Sequence, residues 1–235
     1  MNEASAQRLR AVIAIDGPAG AGKSTAAREL AKRLGYVLVD TGALYRGVAL
    51  SAQGQGIDWE DGPALGALAA SVNLQFVPDD EGVPKLQIDG VDRSTDIRTP
   101  EMSTGASRVS RHPEVRQGLL ALQRRLGASG GVVLEGRDIG TVVFPGAEVK
   151  IFLTASDEAR AKRRHAELVQ AGHAVGLEQV LLDIQARDKL DSERDLAPLR
   201  AADDAVVVDT SELPLPEVLD QLEELVRARL SGPSA

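Results

Sequence analysis

Short apolar runs alternate with amphipathic stretches along most of this chain. Each of five runs predicts a buried strand: 11–15, 36–39, 132–134, 149–153 and 205–208. Helical periodicity follows the first run over 26–34 and the last run over about 216–230. Such alternation is typical of βαβ units, in which helices cover both faces of a parallel sheet. The pattern therefore predicts an α/β fold built on a five-stranded parallel sheet.

Three segments depart from this alternation. Residues 72–98 carry strand-like runs around a polar turn at 78–82, which predicts a small antiparallel β insert. Residues 161–195 are densely charged and helical with a break at 172–176, and we interpret them as a mobile helical lid. The glycine-rich stretch 54–66 is predicted to be a turn-rich connection.

A phosphate-binding loop follows the first predicted strand. Residues 17–24 match G-x-x-x-x-G-K-[ST] at every fixed position, and a helix is predicted directly after them. Backbone N–H groups of such a loop, together with the helix N-terminus, bind phosphate groups. Lys23 would reach the β- and γ-phosphates of ATP, and the Ser24 hydroxyl would bind Mg²⁺. The predicted ATP-binding residues of this loop are Gly17, Pro18, Ala19, Gly20, Ala21, Gly22, Lys23, Ser24 and Thr25.

Composition and charge restrict the other functions of the chain. The 235 residues carry a net charge of −8, which argues against general nucleic-acid binding. No apolar run approaches the roughly 20 residues of a membrane span. The sequence has no cysteine, which excludes disulfides and thiolate metal sites and fits a reducing compartment. We therefore expect a cytoplasmic protein with no membrane or nucleic-acid partner. We also expect a monomer, although composition and charge do not determine the oligomeric state.

Several charged residues lie where ligands of a parallel sheet bind, beyond the carboxyl ends of the strands. Arg46 follows the second predicted strand, and Arg137 and Asp138 follow the third. Local sequence alone leaves two interpretations open for each position. Arg46 is either a ligand residue or a surface arginine, and the Arg137–Asp138 pair either binds a ligand or stabilises a turn.

For two charged segments in or beside the predicted lid, local sequence again allows two interpretations. Arg187, Asp191 and Arg194 are spaced at i, i+4 and i+7, which predicts a common helix face. Such a face is more often a solvated, salt-bridged surface than a binding site. The basic residues Arg160 and Arg164 belong to a cluster that would be an electrostatic clamp near a triphosphate, but only a basic surface elsewhere.

Further motifs are more specific than the phosphate loop alone. They are Ile-Asp-Gly-Pro at 15–18, Asp-Thr-Gly-Ala-Leu-Tyr-Arg at 40–46, Ile-Arg-Thr at 97–99, Gly-Arg-Asp-Ile-Gly-Thr-Val-Val-Phe-Pro at 136–145, Lys-Ile-Phe-Leu at 150–153 and the charged segment 187–194. Through them the chain from about residue 10 to about 230 resembles the bacterial cytidylate kinases, which are nucleoside monophosphate kinases. Three positions depart from the family pattern: Thr41 stands where serine is common, Glu135 where aspartate is common, and Ser24 where some members carry glycine.

The resemblance implies a role for each matching residue. Implied ligands of the CMP phosphate are Arg46, Arg137 and Arg194. Implied readers of cytosine are Ser107, Arg116 and Asp138, while Arg187 and Asp191 resemble the pair that approaches the ribose. Thr41 belongs to the same substrate-binding set, and we assign Arg160 and Arg164 to ATP binding. The predicted catalytic residues are Lys23, Arg137 and Arg194, and the predicted metal ligand is Ser24.

The resemblance also implies the reaction and the domain organisation. The implied activity is transfer of the γ-phosphoryl group of ATP, with Mg²⁺, to CMP or dCMP. The implied P-loop kinase core comprises 10–66, 99–160 and 196–230. The β insert at 67–98 belongs to the monophosphate-binding region, and 161–195 form the lid with acceptor-contacting helices. The termini, 1–9 and 231–235, are predicted to be flexible.

Two alternative functions remain open at this point. Another small-acceptor kinase, acting on UMP, AMP, dTMP or shikimate, would carry the same phosphate loop. The arginine set nevertheless suits a phosphate acceptor better than a sugar acid. A nucleotide-dependent switch such as a small GTPase usually carries an Asn-Lys-x-Asp element that reads the base, and neither Asn2 nor Asn73 begins one.

Overall fold

The computed structural model describes residues 11–80 and 82–231. Except for Ser231, the termini that are predicted to be flexible lie outside these residues, as does Glu81 in the predicted turn. The described strands are β1 (Val12–Asp16), β2 (Val37–Asp40), β3 (Leu74–Pro78), β4 (Pro84–Ile88), β5 (Val91–Asp92), β6 (Val132–Gly136), β7 (Val149–Thr154) and β8 (Val206–Asp209). The described α-helices are α1 (Lys23–Leu34), α2 (Thr41–Gly54), α3 (Gly62–Ser71), α4 (Pro100–Val109), α5 (Pro113–Gly127), α6 (Asp157–Gln170), α7 (Leu177–Ser192) and α8 (Leu215–Ser231).

The chain forms two compact units, and one is inserted into the sequence of the other. Of the described residues, the phosphate-loop unit contains 11–38 and 130–231. The inserted unit contains 39–129. Each unit has its own hydrophobic cluster of buried residues.

The larger sheet confirms the prediction of a five-stranded parallel sheet. Its strand order is β2-β6-β1-β7-β8. The central strand β1 pairs in parallel with both β6 and β7, and β8 pairs in parallel with β7. Asp16 at the end of β1 is in register with Gly136 at the end of β6. The carboxyl ends of these strands therefore meet at one edge, which is where the phosphate loop begins.

Helix α1 packs against the core of the phosphate-loop unit with one small apolar face. Ala27, Leu30 and Ala31, which the sequence places at helical spacing, are buried together with Ala26, whereas Leu34 at the same spacing is only partly buried. The helix ends at Leu34, and the residue that caps it, Gly35, has a φ of 68° in the left-handed region that glycine adopts at low cost.

The inserted unit combines helices with the second sheet. Strands β3, β4 and β5 form an antiparallel sheet, which confirms the predicted β insert. Helix α2 packs on this sheet at Gly47, where a Cβ atom would lie 3.1 Å from side-chain carbons of Leu74 and Leu86. Helices α3 and α5 are in still closer contact, since a Cβ on Gly66 would lie 2.4 Å from Glu114 Cβ.

The structure shortens the predicted turn-rich connection from 54–66 to 55–61. Helix α2 continues to Gly54, and helix α3 already begins at Gly62. The Asp61 carboxylate caps α3 by accepting a hydrogen bond from the Ala64 N–H at 3.1 Å. Pro63 lies in the first turn, where a missing N–H costs nothing, so this proline begins a helix rather than interrupting one. The hydrophobic pattern did not predict two further helices of this unit, α4 and α5.

The charged segment forms two helices, α6 and α7, on either side of the predicted break. Few apolar side chains anchor the pair: Ala161, Val180 and Ile184 are the buried members of its cluster. Helices with few apolar anchors open at low cost, which is consistent with a lid. The mobility of this segment stays a prediction.

Candidate functional site

The predicted site residues lie on both units of the chain. The phosphate-loop unit carries residues 17–25, Arg137, Asp138, Arg160, Arg164, Arg187, Asp191 and Arg194, and the inserted unit carries Thr41, Arg46, Ser107 and Arg116. No described helix is long and apolar enough to cross a membrane. Within the described residues no cluster of three or more His, Asp or Glu side chains could hold a metal ion by itself.

The phosphate loop joins β1 to α1 through glycines with positive φ. Gly20 and Gly22 have φ values of 77° and 85°, which place them in the left-handed region. Gly17 is restricted by packing as well. A Cβ atom at this position would lie 1.9 Å from the Leu153 carbonyl oxygen at the neighbouring end of β7. Glycine is therefore required where the loop leaves the sheet.

Lys23 is the first residue of α1, and its side chain reaches back into the phosphate loop. Its side chain is buried, and Nζ donates a hydrogen bond to the Pro18 carbonyl oxygen at 2.6 Å. Burial and the nearby positive charge of Arg137 lower the pKa of Lys23 well below its ordinary value, although Glu135 raises it. Negative charge from a bound polyphosphate would therefore stabilise the protonated amine.

The hydroxyl of Ser24 is held by a carboxylate that the sequence analysis left without a role. Ser24 Oγ donates to Glu135 Oε2 at 2.8 Å, and Glu135 is buried within β6. Hydroxyl and carboxylate oxygens are the ligand types that Mg²⁺ prefers. The residues present therefore fit a magnesium ion at the loop. The adjacency of β1 and β6 creates this pair, so the sequence motif alone did not show it.

Asp16 is a second residue to which the sequence motifs assign no role in the site. Its two carboxylate oxygens accept hydrogen bonds from the N–H groups of Ile139 and Gly140, both at 2.8 Å. Burial raises the pKa of Asp16 to about 6, although these two N–H groups lower it. Asp16 thereby holds the segment after β6 against the start of the phosphate loop. This segment carries Arg137 and Asp138. An acidic residue directly before the loop was the available sequence signal.

Arginines converge on one buried carboxylate, that of Asp191. Arg137 Nε donates to Asp191 Oδ2 at 3.0 Å, and Arg194 Nη1 lies 3.9 Å from Asp191 Oδ1. Arg194 Nε also donates to the backbone carbonyl oxygen of Asp191 at 3.2 Å. Burial would raise the pKa of Asp191, but the charges of Arg137, Arg187 and Arg194 outweigh it and hold that pKa below its ordinary value. We call these four residues the arginine centre.

The structure corrects the predicted common helix face. Helix α7 ends at Ser192, so Arg194 lies beyond the helix. Arg194 is brought to Asp191 by the turn that follows, in which its Nη2 donates to the Ala197 carbonyl oxygen at 3.0 Å. The predicted grouping of Arg187, Asp191 and Arg194 is found, but tertiary structure produces it rather than helical spacing alone.

The acidity of Asp191 predicts how the centre responds to pH. Because its pKa is lowered in the folded chain, its ionised form stabilises the fold above the unfolded value near 4, and this stabilisation is lost as pH falls further. We expect Asp191→Asn to lower the free energy of unfolding by about 3–5 kcal/mol at pH 7, because it leaves buried guanidinium charge without its carboxylate partner. Urea denaturation at several pH values checks this. The deficit should stay constant from pH 7 to about 5 and shrink only below about pH 4; a deficit independent of pH would contradict the assignment.

Three arginines of the basic cluster on α6 form hydrogen bonds or ion pairs with other protein groups: Arg160, Arg163 and Arg164. Arg160 is buried, and its Nη1 donates to the Ala19 carbonyl oxygen at 2.9 Å. Arg163 donates to the hydroxyl and carbonyl oxygens of Thr210. Arg164 forms a partly exposed ion pair with Glu167 at 3.0 Å. The first two thus anchor α6, whereas Arg164 is held only at the surface.

The inserted unit presents its own polar candidates. At the N-terminus of α2, Asp40 caps the helix through the Ala43 N–H and pairs with Arg46 Nη2 at 2.7 Å. Thr41 is buried beside them. On α4, the Ser107 hydroxyl oxygen is buried and makes no hydrogen bond with any described residue. On α5, the Arg116 guanidinium lies 5.6 Å from the centre of the Tyr45 ring.

Comparison with known proteins adds a family to this geometry. A sequence model of the cytidylate kinase family matches residues 13–228. A cytidylate kinase of Syntrophotalea carbinolica is 52% identical over 93% of this chain and 92% of its own length. One from Geobacter sulfurreducens is 48% identical over 96% of each chain. A solved structure of an uncharacterized protein from Eubacterium ventriosum, 12% identical, aligns with a TM-score of 0.52 over 92% of this chain and 98% of that one, which supports the fold alone.

The match extends from β1 to α8, so it includes the phosphate loop, the arginine centre and the inserted unit. Identity of about one half over nearly the whole length accompanies it in the curated relatives. The chain therefore belongs to the cytidylate kinase family.

Proposed function

We propose that this protein transfers the γ-phosphoryl group of ATP to CMP or dCMP, giving ADP and CDP or dCDP, in cytoplasmic pyrimidine nucleotide metabolism. The observation that carries the proposal is the family match, because it spans the phosphate loop and the arginine centre together. Among the alternatives raised by the sequence, neither another small-acceptor kinase nor a nucleotide switch is favoured by these relatives.

On the donor side, we assign the phosphates of ATP to the loop. Its backbone N–H groups and the N-terminus of α1 would bind the phosphate oxygens, and Lys23 would supply the positive charge. Ser24, with Glu135 beside it, would hold Mg²⁺, which when bound neutralises charge on phosphate oxygens. Arg164 can leave its surface pair with Glu167 at little cost, so it remains a candidate for the triphosphate.

On the acceptor side, no general base is required. The second pKa of a phosphate monoester is about 6, so CMP is already largely a dianion at neutral pH, and its oxygen can attack directly. What opposes the reaction is repulsion between two polyanions. Guanidinium groups counter it well because each can bind two phosphate oxygens at once. We assign this role to Arg46, Arg137 and Arg194.

The remaining acceptor residues would bind the nucleoside. Ser107, Arg116 and Asp138 are proposed to contact cytosine, Arg187 and Asp191 the ribose, and Thr41 the substrate near Arg46. The buried Ser107 hydroxyl supports this assignment, since a buried polar group without a partner is costly unless a ligand satisfies it.

Arg137 tests the acceptor assignment. Arg137→Ala should raise KM for CMP at least about tenfold while the affinity for ATP alone changes little, because ATP does not supply the phosphate that Arg137 binds. A lost charge-assisted hydrogen bond of about 1.5–3 kcal/mol has this size. Steady-state kinetics and ATP titrations provide the measurement, with Arg194→Ala as a second variant and the surface change Arg227→Ala as the control. If ATP affinity collapsed while KM for CMP stayed constant, both arginines would belong to the donor side.

The activity itself is tested by ADP release with a panel of acceptors. We expect turnover with CMP and dCMP that exceeds turnover with UMP, AMP, dTMP and shikimate. A preference for another acceptor would replace the proposal with a different kinase. Slow ATP or GTP hydrolysis that no acceptor accelerates would favour a nucleotide switch.

A further inference from the structure

Arg160 occupies an unusual position among the charged residues of the phosphate-loop unit. Its side chain is 4% exposed. One nitrogen, Nη1, donates to the Ala19 carbonyl oxygen of the phosphate loop at 2.9 Å and lies 2.5 Å from Asp188 Oδ2 of helix α7. Nη2 donates to Asp157 Oδ1 in the first turn of α6. A single guanidinium thus contacts the loop and both helices of the predicted lid.

The contact with the loop involves packing as well as hydrogen bonding. A Cβ atom on Gly20 would lie 3.1 Å from Arg160 Cβ, so the loop backbone lies directly against the stem of this side chain. Arg160 Nε is also fixed, since it donates to the Ala155 carbonyl oxygen at 3.1 Å. The guanidinium therefore has little freedom to move independently of the loop.

The contact with α7 joins Arg160 to the arginine centre. Asp188 lies on the same helix as Arg187 and Asp191, and Asp191 in turn accepts the hydrogen bond of Arg137. A second contact reinforces the helix pair, because Gln185 Nε2 donates to Asp157 Oδ2 at 3.0 Å. Continuous contacts thus run from the loop carbonyl through Arg160 and α7 to the residues proposed to bind the acceptor.

We propose that Arg160 is a positioning residue that couples occupancy of the phosphate loop to the placement of α7, so that binding of ATP and binding of CMP strengthen each other through the Arg160–Asp188 pair. This inference rests on the proposed function and deepens it. It gives Arg160 an indirect role in place of the direct ATP contact expected from the sequence, because each of its three side-chain nitrogens already donates to a protein group. Coupling of this kind is reciprocal, and fivefold or larger effects on affinity are typical.

The test measures Kd for CMP with and without a saturating non-hydrolysable ATP analogue and Mg²⁺. In the wild type we expect Kd for CMP to be at least about fivefold lower when the analogue is bound. Asp188→Ala should reduce this ratio to less than about twofold, and Arg160→Lys, which keeps the charge but loses the planar fork, should do the same. The surface variant Arg227→Ala should keep the wild-type ratio. Hydrogen exchange of α7 amides should slow on analogue binding in the wild type and not in Asp188→Ala.

A purely structural role of Arg160 gives a different result from a coupling role. It would lower Tm and weaken the binding of both nucleotides in parallel without changing the ratio, which would overturn the proposal. A wild-type ratio near 1, or a ratio kept by both variants, would overturn it too. If the wild type turns over CMP while the coupling fails, only this inference is lost. If the wild type does not phosphorylate CMP at all, the proposed function fails.

Discussion

Replacing Lys23 with methionine is expected to reduce phosphoryl transfer by about 10²–10³-fold or more, which corresponds to about 3–4 kcal/mol of transition-state stabilisation. The amine lies inside the phosphate loop, and the positive charges that act on it most strongly belong to Arg137 and Arg187 of the arginine centre. Arg137 cannot readily replace the amine, because its Nε and Nη1 atoms donate to Asp191 Oδ2 and to the Gly136 carbonyl oxygen. The fold should survive, because Lys23 is buried and methionine removes a charge whose burial is costly.

Two measurements decide this prediction. kcat/KM for CMP is compared between the variant and the wild type, and thermal unfolding shows whether the variant is folded. Lys32→Met, an exposed position on the same helix, serves as the matched control and should keep its activity. A folded Lys23→Met protein with more than a tenth of wild-type turnover would refute the role of Lys23.

Asp138→Asn is expected to remove most of the discrimination between CMP and UMP. Cytosine presents an amino donor at C4, whereas uracil presents a carbonyl oxygen there. A carboxylate accepts from the first and repels the second, but an amide can rotate to donate to uracil. Asp138 is buried at the start of the turn after β6, so a mismatch there is not relieved by water. The loss of selectivity should reach about 2–5 kcal/mol.

The measurement is kcat/KM for CMP and for UMP on both proteins. Activity on CMP should fall and the ratio of the two values should narrow, while the exposed control Asp220→Asn should leave the ratio unchanged. If Asp138→Asn keeps the wild-type ratio, Asp138 does not read the base, and it would instead orient Arg137, its neighbour in sequence.

Local sequence patterns predicted the strands of the larger sheet because each strand is a short apolar run that needs no distant information. The same reasoning placed the turn-rich connection at 54–66, because glycine and proline were given their usual meaning as breakers at 62–66, but the connection spans only 55–61. Asp61 supplies the cap and Pro63 lies in the first turn, so the same residues begin helix α3. Position within a helix, rather than composition, decides what a proline does.

Within the candidate site, the residues that are contiguous in sequence could be predicted, and the contacts between distant segments could not. The phosphate loop could be identified from spacing because its residues are contiguous and act through backbone geometry. The partners of Ser24 and Asp16 could not, since Glu135 and the N–H groups of Ile139 and Gly140 arrive through strand register, 111 to 124 residues away. Arg194 reaches Asp191 through a turn beyond α7. Pairing between distant segments is information that one sequence without relatives does not contain.

The order of the two units along the chain has a consequence for folding. Strand β1 lies near the start of the chain, but it pairs with β6, where Val12 is in register with Val132. The central strand therefore pairs with a segment that lies some 120 residues further along the chain. The inserted unit, 39–129, is one uninterrupted segment with its own buried cluster, and it lacks that long separation. Non-local pairing slows folding because the connecting chain loses entropy before the contacts form. In refolding followed by pulse-labelled hydrogen exchange, amides of the inserted unit should become protected before those of β1. The phosphate loop, which follows β1, should therefore fold later than the inserted unit.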